Sequence, residues 1–226
     1  MRPRLVTAIR SALGSLAAVL ATSLALHGQT ARAGDEARVE GTLRVELDGI
    51  PFEAAGEVVV FLETTGSDAP ERDRRLAERP RPTERIRQSG ARFEPSMLVV
   101  SRGQKIEMPN DDVIYHNVFS YSEPNDFDLG MYASGESRTL RFDHAGLVRI
   151  YCSIHDDMDG LIFVAPSPLF AVPDATGRFA IERVPAGDYR LRVWSERLPE
   201  VATALRVEAG GARRVEISIG QPDASR

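Results

Sequence analysis

The stretch Leu147-Val148-Arg149-Ile150-Tyr151-Cys152-Ser153-Ile154-His155-Asp156-Asp157-Met158-Asp159-Gly160 decides how the chain is read. Its first half alternates with a period of two, the side-chain period of a β-strand. Val148, Ile150 and Cys152 fall on one face, and Leu147, Arg149 and Tyr151 on the other. Arginine belongs outside, so the cysteine points inward at the end of the strand. The second half is a polar loop with the spacing Cys-x-x-His-x-x-Met, and Cys152 is the one cysteine in the chain. A lone cysteine is a buried apolar filler, a reactive or intermolecular thiol, or a metal ligand. An inward thiol at a strand-to-loop junction is poorly placed for an intermolecular disulfide.

Upstream, His116 lies within Asn110-Asp111-Asp112-Val113-Ile114-Tyr115-His116-Asn117-Val118-Phe119. His116, Cys152, His155 and Met158 together are the donor types of a mononuclear copper site: two imidazoles and a thiolate in a trigonal plane, with a thioether on the axis. Taken singly, each residue has a plain alternative, as a core cysteine, a loop histidine or a core methionine. Taken jointly those alternatives weaken, because the chain has four histidines, of which His27 falls in the expected leader. Two of the remaining three join the cysteine in one pattern. The third, His144 in Phe142-Asp143-His144-Ala145-Gly146, reads as a turn histidine with no metal role.

The rest of the chain sets this segment in an all-β frame. Hydrophobic residues make up 42% and charged residues 27% of the 226 positions, a globular composition. Arg2, Arg4 and Arg10, the apolar run Ala12 to Leu26, and Ala31-Arg32-Ala33 form a cleavable export leader over 1–33, which predicts a periplasmic protein. No later stretch is long and apolar enough to span a bilayer. Removing the leader takes away four arginines and no acids, leaving a net charge of −9 in place of −5. That balance excludes nucleic acid as a partner and favours a basic protein. A monomer is expected.

After residue 35, short alternating segments are punctuated by Gly, Pro, Asn and Asp, the signature of β-sandwiches or barrels. The first segment, Val39 to Leu47, precedes a run at Val58-Val59-Val60-Phe61-Leu62 that reads as buried on both faces. Residues 66–83, rich in Arg, Pro and acids, read as a mobile charged loop. A block over 84–165 carries the metal-type residues. A third block begins near Phe170 and ends in Val201 to Val207, a Gly210-Gly211 turn, and Val215, Ile217 and Ile219, which predict a final hairpin. Residues 220–226 read as a frayed tail.

The segment Glu84 to Val164 resembles the cupredoxins, especially plastocyanin-like and amicyanin-like ones. The resemblance rests on Phe93-Glu94-Pro95 before a Leu-Val-Val strand and on Gly103 leading to Ile106 and Asn110. It continues through His116-Asn117-Val118 and Cys152-Ser153-Ile154-His155 to Met158-Asp159-Gly160. It implies an eight-stranded Greek-key β-sandwich with one type 1 copper at one end, held by His116, Cys152, His155 and Met158. It also implies that Asn117 ties the His116 strand to the Cys152 loop. Two positions depart from the pattern: Tyr115 stands where many relatives have proline, and Asp156-Asp157 where they have proline or an apolar residue.

The flanks resemble carboxypeptidase regulatory-like (prealbumin-like) β-sandwich modules. The matching pieces are Val39-Glu40-Gly41, Phe170 to Phe179 and Val184-Pro185-Ala186-Gly187-Asp188-Tyr189. The expected layout nests the cupredoxin in a small sandwich built from 38–65 and 168–219. Its rival gives Val58 to Leu62 to the cupredoxin and leaves only a C-terminal module. The whole resembles exported bacterial proteins of the methylamine-utilisation type. These readings favour a protein that carries single electrons between redox partners. A periplasmic copper carrier or store, and a metal-free binding module, stand as rivals. An enzyme is not expected: no G-x-S-x-G, HExxH, P-loop or dinucleotide fingerprint occurs, and three histidines cannot build further copper sites.

Overall fold

The structure is a computed structural model, and it describes residues 36–46 and 51–220. The expected leader at 1–33, Leu47 at the end of the first expected strand, and the tail at 221–226 lie outside the described residues. No described helix is long and apolar enough to cross a membrane.

The described chain is all-β apart from one α-helix and a 3₁₀ turn. It opens with β1 (Glu36–Val45), β2 (Val58–Thr65) and α1 (Ala69–Ala77). Ten strands follow: β3 (Glu84–Arg85), β4 (Arg87–Gln88), β5 (Phe93–Glu94), β6 (Met97–Ser101), β7 (Gln104–Pro109), β8 (His116–Ser120), β9 (Phe127–Tyr132), β10 (Ser137–Phe142), β11 (Gly146–Tyr151) and β12 (Asp159–Ala165). The last five are β13 (Phe170–Ala171), β14 (Arg178–Pro185), β15 (Gly187–Ser195), β16 (Val201–Val207) and β17 (Ala212–Ile219).

Two sandwiches result. In one, the sheet β10-β7-β3 faces the sheet β6-β12-β11-β8-β9 across a core that includes Val118, Phe142, Val148, Ile150, Cys152, Met158 and Ile162. In the other, β14-β1-β17 faces β13-β2-β15-β16 across Val39, Leu43, Val60, Leu62, Ile181, Tyr189, Leu191 and Ile219. Strands from both ends of the chain build this second sandwich, for β1 pairs with β14 and β17, and β2 with β13 and β15. Gly41 on β1 permits a close approach, since a Cβ there would fall 2.5 Å from the Val215 carbonyl oxygen and 2.9 Å from the Phe179 ring.

A third apolar cluster joins the two sandwiches back to back. It contains Val59, Phe61, Phe163 and Ala165, with Met97, Val99, Leu147, Phe170 and Trp194 against it. The Phe163 ring lies 5.5 Å from Phe61 and 5.1 Å from Trp194, while the Arg192 guanidinium sits over Phe61. Four sheets are therefore stacked, with two middle sheets covered on both faces. That accounts for the unbroken apolar runs in β2 and β12. Val58, Val60 and Leu62 point into one core while Val59 and Phe61 point into the joint; Ile162 and Val164 alternate with Phe163 and Ala165 in the same way.

Two sequence expectations are corrected. Residues 66–83 are not simply a loop, because Ala69–Ala77 forms α1. Pro70 sits in its first turn, where a missing N–H costs nothing, and Glu71 makes ion pairs with Arg74 and Arg75 one turn on. Leu76 and Arg72 supply its buried stripe. The Arg72 guanidinium pairs with Asp68, donates to the carbonyls of Thr65 and Asp188, and lies over the Tyr189 ring. The second correction concerns the final hairpin. β16 pairs antiparallel with β15, whereas β17 crosses to the other sheet and runs parallel to β1. Alternation identifies the buried face of each strand but not its partner.

Candidate metal centre

The first sandwich carries the predicted residues at one end. His116 opens β8 and is fully buried. Cys152 follows directly on β11, inward as its alternation requires, with 6% of its surface exposed. The loop from 152 to 158 then returns the chain into β12, where Tyr151 pairs with Asp159. It is closed by its own backbone: Cys152 N–H donates to Met158 O at 3.1 Å, and Met158 N–H to His155 O at 3.1 Å. The five residues between the cysteine and Met158 thus turn tightly enough to bring His155 back beside the thiol.

The ring nitrogen Nδ1 of His116 lies 3.6 Å from Cys152 Sγ, and Nδ1 of His155 lies 3.7 Å from it. The two imidazoles stand 4.8 Å apart, centroid to centroid, at 50°. Ligand atoms of all three residues fall within 4.8 Å of one another, the one such grouping among the described residues. Met158 is 1% exposed and packs in the same core as Cys152. His144 is apart from this group: it is exposed in the β10–β11 turn, where its carbonyl accepts from Asn125 Nδ2.

Asn117 Oδ1 accepts from both the N–H (2.8 Å) and the hydroxyl (2.9 Å) of Ser153. This crosses from the His116 strand to the Cys152 loop and fixes the residue after the thiol. Behind the site, Tyr132 pairs with His116 in register, donates to Met108 O and accepts from Gln88. Burial pushes the Tyr132 hydroxyl up to about 12.

Sequence reasoning missed Asp112. Its Oδ2 accepts from His116 Nε2 at 2.8 Å, on the ring edge away from the thiol. The same carboxylate accepts from Gly90 N–H at 2.7 Å and Ala91 N–H at 2.9 Å. Burial raises its pKa, but the two backbone N–H groups and His116 outweigh that and hold it below the ordinary carboxylate range. An aspartate four residues before a candidate ligand was the only signal available, and Asp111 beside it carried the same signal.

The donor set fits a first-row metal. An ion about 2.0–2.1 Å from an imidazole nitrogen and about 2.3 Å from a thiolate, at bond angles near 110–120°, places those donors about 3.6–3.8 Å apart. The observed spacings of 3.6 and 3.7 Å match. Two nitrogens and a thiolate, with the buried Met158 in the same core, favour copper among such metals. The loops that bring the ligands are exposed beside them. Val113 is 93% and Ile154 51% exposed, and Tyr115 is exposed too. Asp111, Asp156, Asp157 and Asp159 are also solvent-facing.

No protein-family model matches this chain, and no curated protein does. Among solved structures, an oxidised methionine-to-lysine mutant of amicyanin is similar at 21% identity, over 39% of this chain and 88% of that one, with a TM-score of 0.35. A reduced proline-to-phenylalanine mutant of amicyanin is similar at 23% identity over the same shares, with a TM-score of 0.34. A purple cupredoxin from Nitrosopumilus maritimus is similar at 24% identity, over 36% of this chain and 99% of that one, with a TM-score of 0.33.

Proposed function

We propose that this chain is a periplasmic type 1 copper protein that carries single electrons between redox partners. The observation that carries the reading is the convergence of His116 Nδ1 and His155 Nδ1 on Cys152 Sγ at 3.6 and 3.7 Å, at a buried strand end. His116, Cys152, His155 and Met158 would hold the ion. The chemistry copper supplies when bound is reversible one-electron transfer.

The chain's own residues do the rest. His116 sits on β8 and Cys152 directly follows its paired strand β11, and Asn117 locks the loop after Cys152, so the donors would keep their places when the charge changes. Burial of His116, Cys152 and Met158 keeps water out. His155 is the half-buried member, next in sequence to exposed Ile154, and its ring edge would be the exit for the electron. The acids around that edge suit a basic protein partner. A copper carrier needs an open, exchangeable site, and this burial weighs against one. We read the chain as a carrier of electrons and not as an enzyme.

Purified protein given Cu(II) is expected to turn intensely coloured through thiolate-to-copper charge transfer, and Cys152→Ser to abolish the colour. A colourless protein that binds Cu(I) tightly would replace electron transfer with copper carriage. No copper binding at all would end the metal reading.

A further inference from the structure

We infer that the β4–β5 turn is a working part of the metal site, through Asp112 as the residue that positions His116. The inference rests on the copper reading above. The turn Ser89-Gly90-Ala91-Arg92 places two consecutive residues in the left-handed region, Gly90 at φ 61° and Ala91 at φ 53°. Glycine adopts that conformation freely and alanine does not. The result is a small concavity from which two successive backbone N–H groups point the same way, an arrangement suited to an anion. The anion present is Asp112: Gly90 N–H reaches one carboxylate oxygen and Ala91 N–H the other, at 2.7 and 2.9 Å. Asp111 N–H donates to Gln88 O at 2.9 Å, which anchors the segment to β4, and Asp112 N–H donates to Asn110 Oδ1 at 3.0 Å within the segment.

The carboxylate uses Oδ2 to accept from His116 Nε2 at 2.8 Å. A carboxylate is an acceptor only, so Nε2 must carry a proton, and in the neutral ring Nδ1 then turns its lone pair toward Cys152 Sγ. The chain of contacts therefore runs from strained turn to carboxylate to ring to thiol, and it fixes both the orientation and the tautomer of a ligand before any metal arrives. Asn117 performs the equivalent service for the Cys152 loop, but no hydrogen bond from this turn reaches His155. The two imidazoles are thus held unequally: His116 from behind by a hydrogen-bonded network, His155 by its loop alone. His116 is the fixed ligand, and the turn is what fixes it.

The test uses the full chain, metal-free and then with copper salts as the probe, comparing wild type with Asp112→Ala and with Asp112→Asn. The second variant is isosteric and keeps the fold should the first fail. It is only a partial substitute, because its amide cannot accept from two N–H groups and a ring at once. In metal-free wild type the His116 Nε2 proton is expected as a slowly exchanging resonance in nuclear magnetic resonance spectra. It is expected to be lost in Asp112→Ala and weakened in Asp112→Asn. Copper affinity is expected to fall about ten- to hundredfold in Asp112→Ala, and less in Asp112→Asn. His144→Gln, at the exposed histidine of the β10–β11 turn, should leave the proton resonance and the affinity unchanged. An unaltered resonance and affinity in both Asp112 variants would overturn the inference. A wild type that binds no copper, yet loses the resonance on substitution, would defeat the proposed function and leave the positioning role standing.

Discussion

At the scale of single residues, the site was half legible. Cys152 could be placed inward because Arg149 and Tyr151 alternate against Val148 and Ile150, and β-alternation is local. The Cys-x-x-His-x-x-Met spacing is also local, so the loop could be read whole. Asp112 could not be read, since its role depends on a turn 21 residues away in sequence whose backbone enters the left-handed region. The exposed acids next to His155 give a further consequence. Asp156 and Asp157 both face solvent next to His155 in the chain, and negative charge near a bound metal would favour its higher oxidation state. Replacing both with asparagine is expected to raise the reduction potential in voltammetry, more at low ionic strength than at high. An unchanged or lower potential would contradict this.

At the scale of elements, strands were easier to read than the helix. The segment Ala69–Ala77 has Leu76 as its one large apolar residue, and its mean composition is that of a solvated loop. What turns it into a helix is tertiary: a floor for Leu76, and carbonyls at Thr65 and Asp188 waiting for the Arg72 guanidinium. Neither is visible in a window of nine residues. Leu76→Ala is therefore expected to cost about 2–5 kcal/mol in urea unfolding, as for a leucine in any core, while a charge-neutral swap at exposed Arg75 should cost under about 0.5 kcal/mol. The last two strands make the same point about partners. Val201–Val207 and Ala212–Ile219 each alternate cleanly, but the short Gly210-Gly211 link between them carries the chain from one sheet to the other instead of folding it back.

At the scale of the whole molecule, the joint between the sandwiches is the feature that ties fold to site. β12 carries the site's core on one side, through Ile162 and Val164, and the joint on the other, through Phe163 and Ala165. Phe163→Ala is expected to cost about 3–5 kcal/mol and to shift the emission of Trp194, the chain's one tryptophan, because the two rings lie 5.1 Å apart. An unchanged emission spectrum would show that the joint does not pack as described. The parallel pairing of β1 with β17 has a mechanical meaning as well. Residues 38–45 and 212–219 lie side by side in one direction, from Arg38 against Ala212 to Val45 against Ile219. Tension applied at the front of β1 and the back of β17 would load that whole ladder in shear, all bonds at once rather than one after another. The block that carries His116, Cys152 and His155 is spliced into the chain between those two strands, yet off the line of force, so a pull along the chain would reach the clamp before it reached those residues.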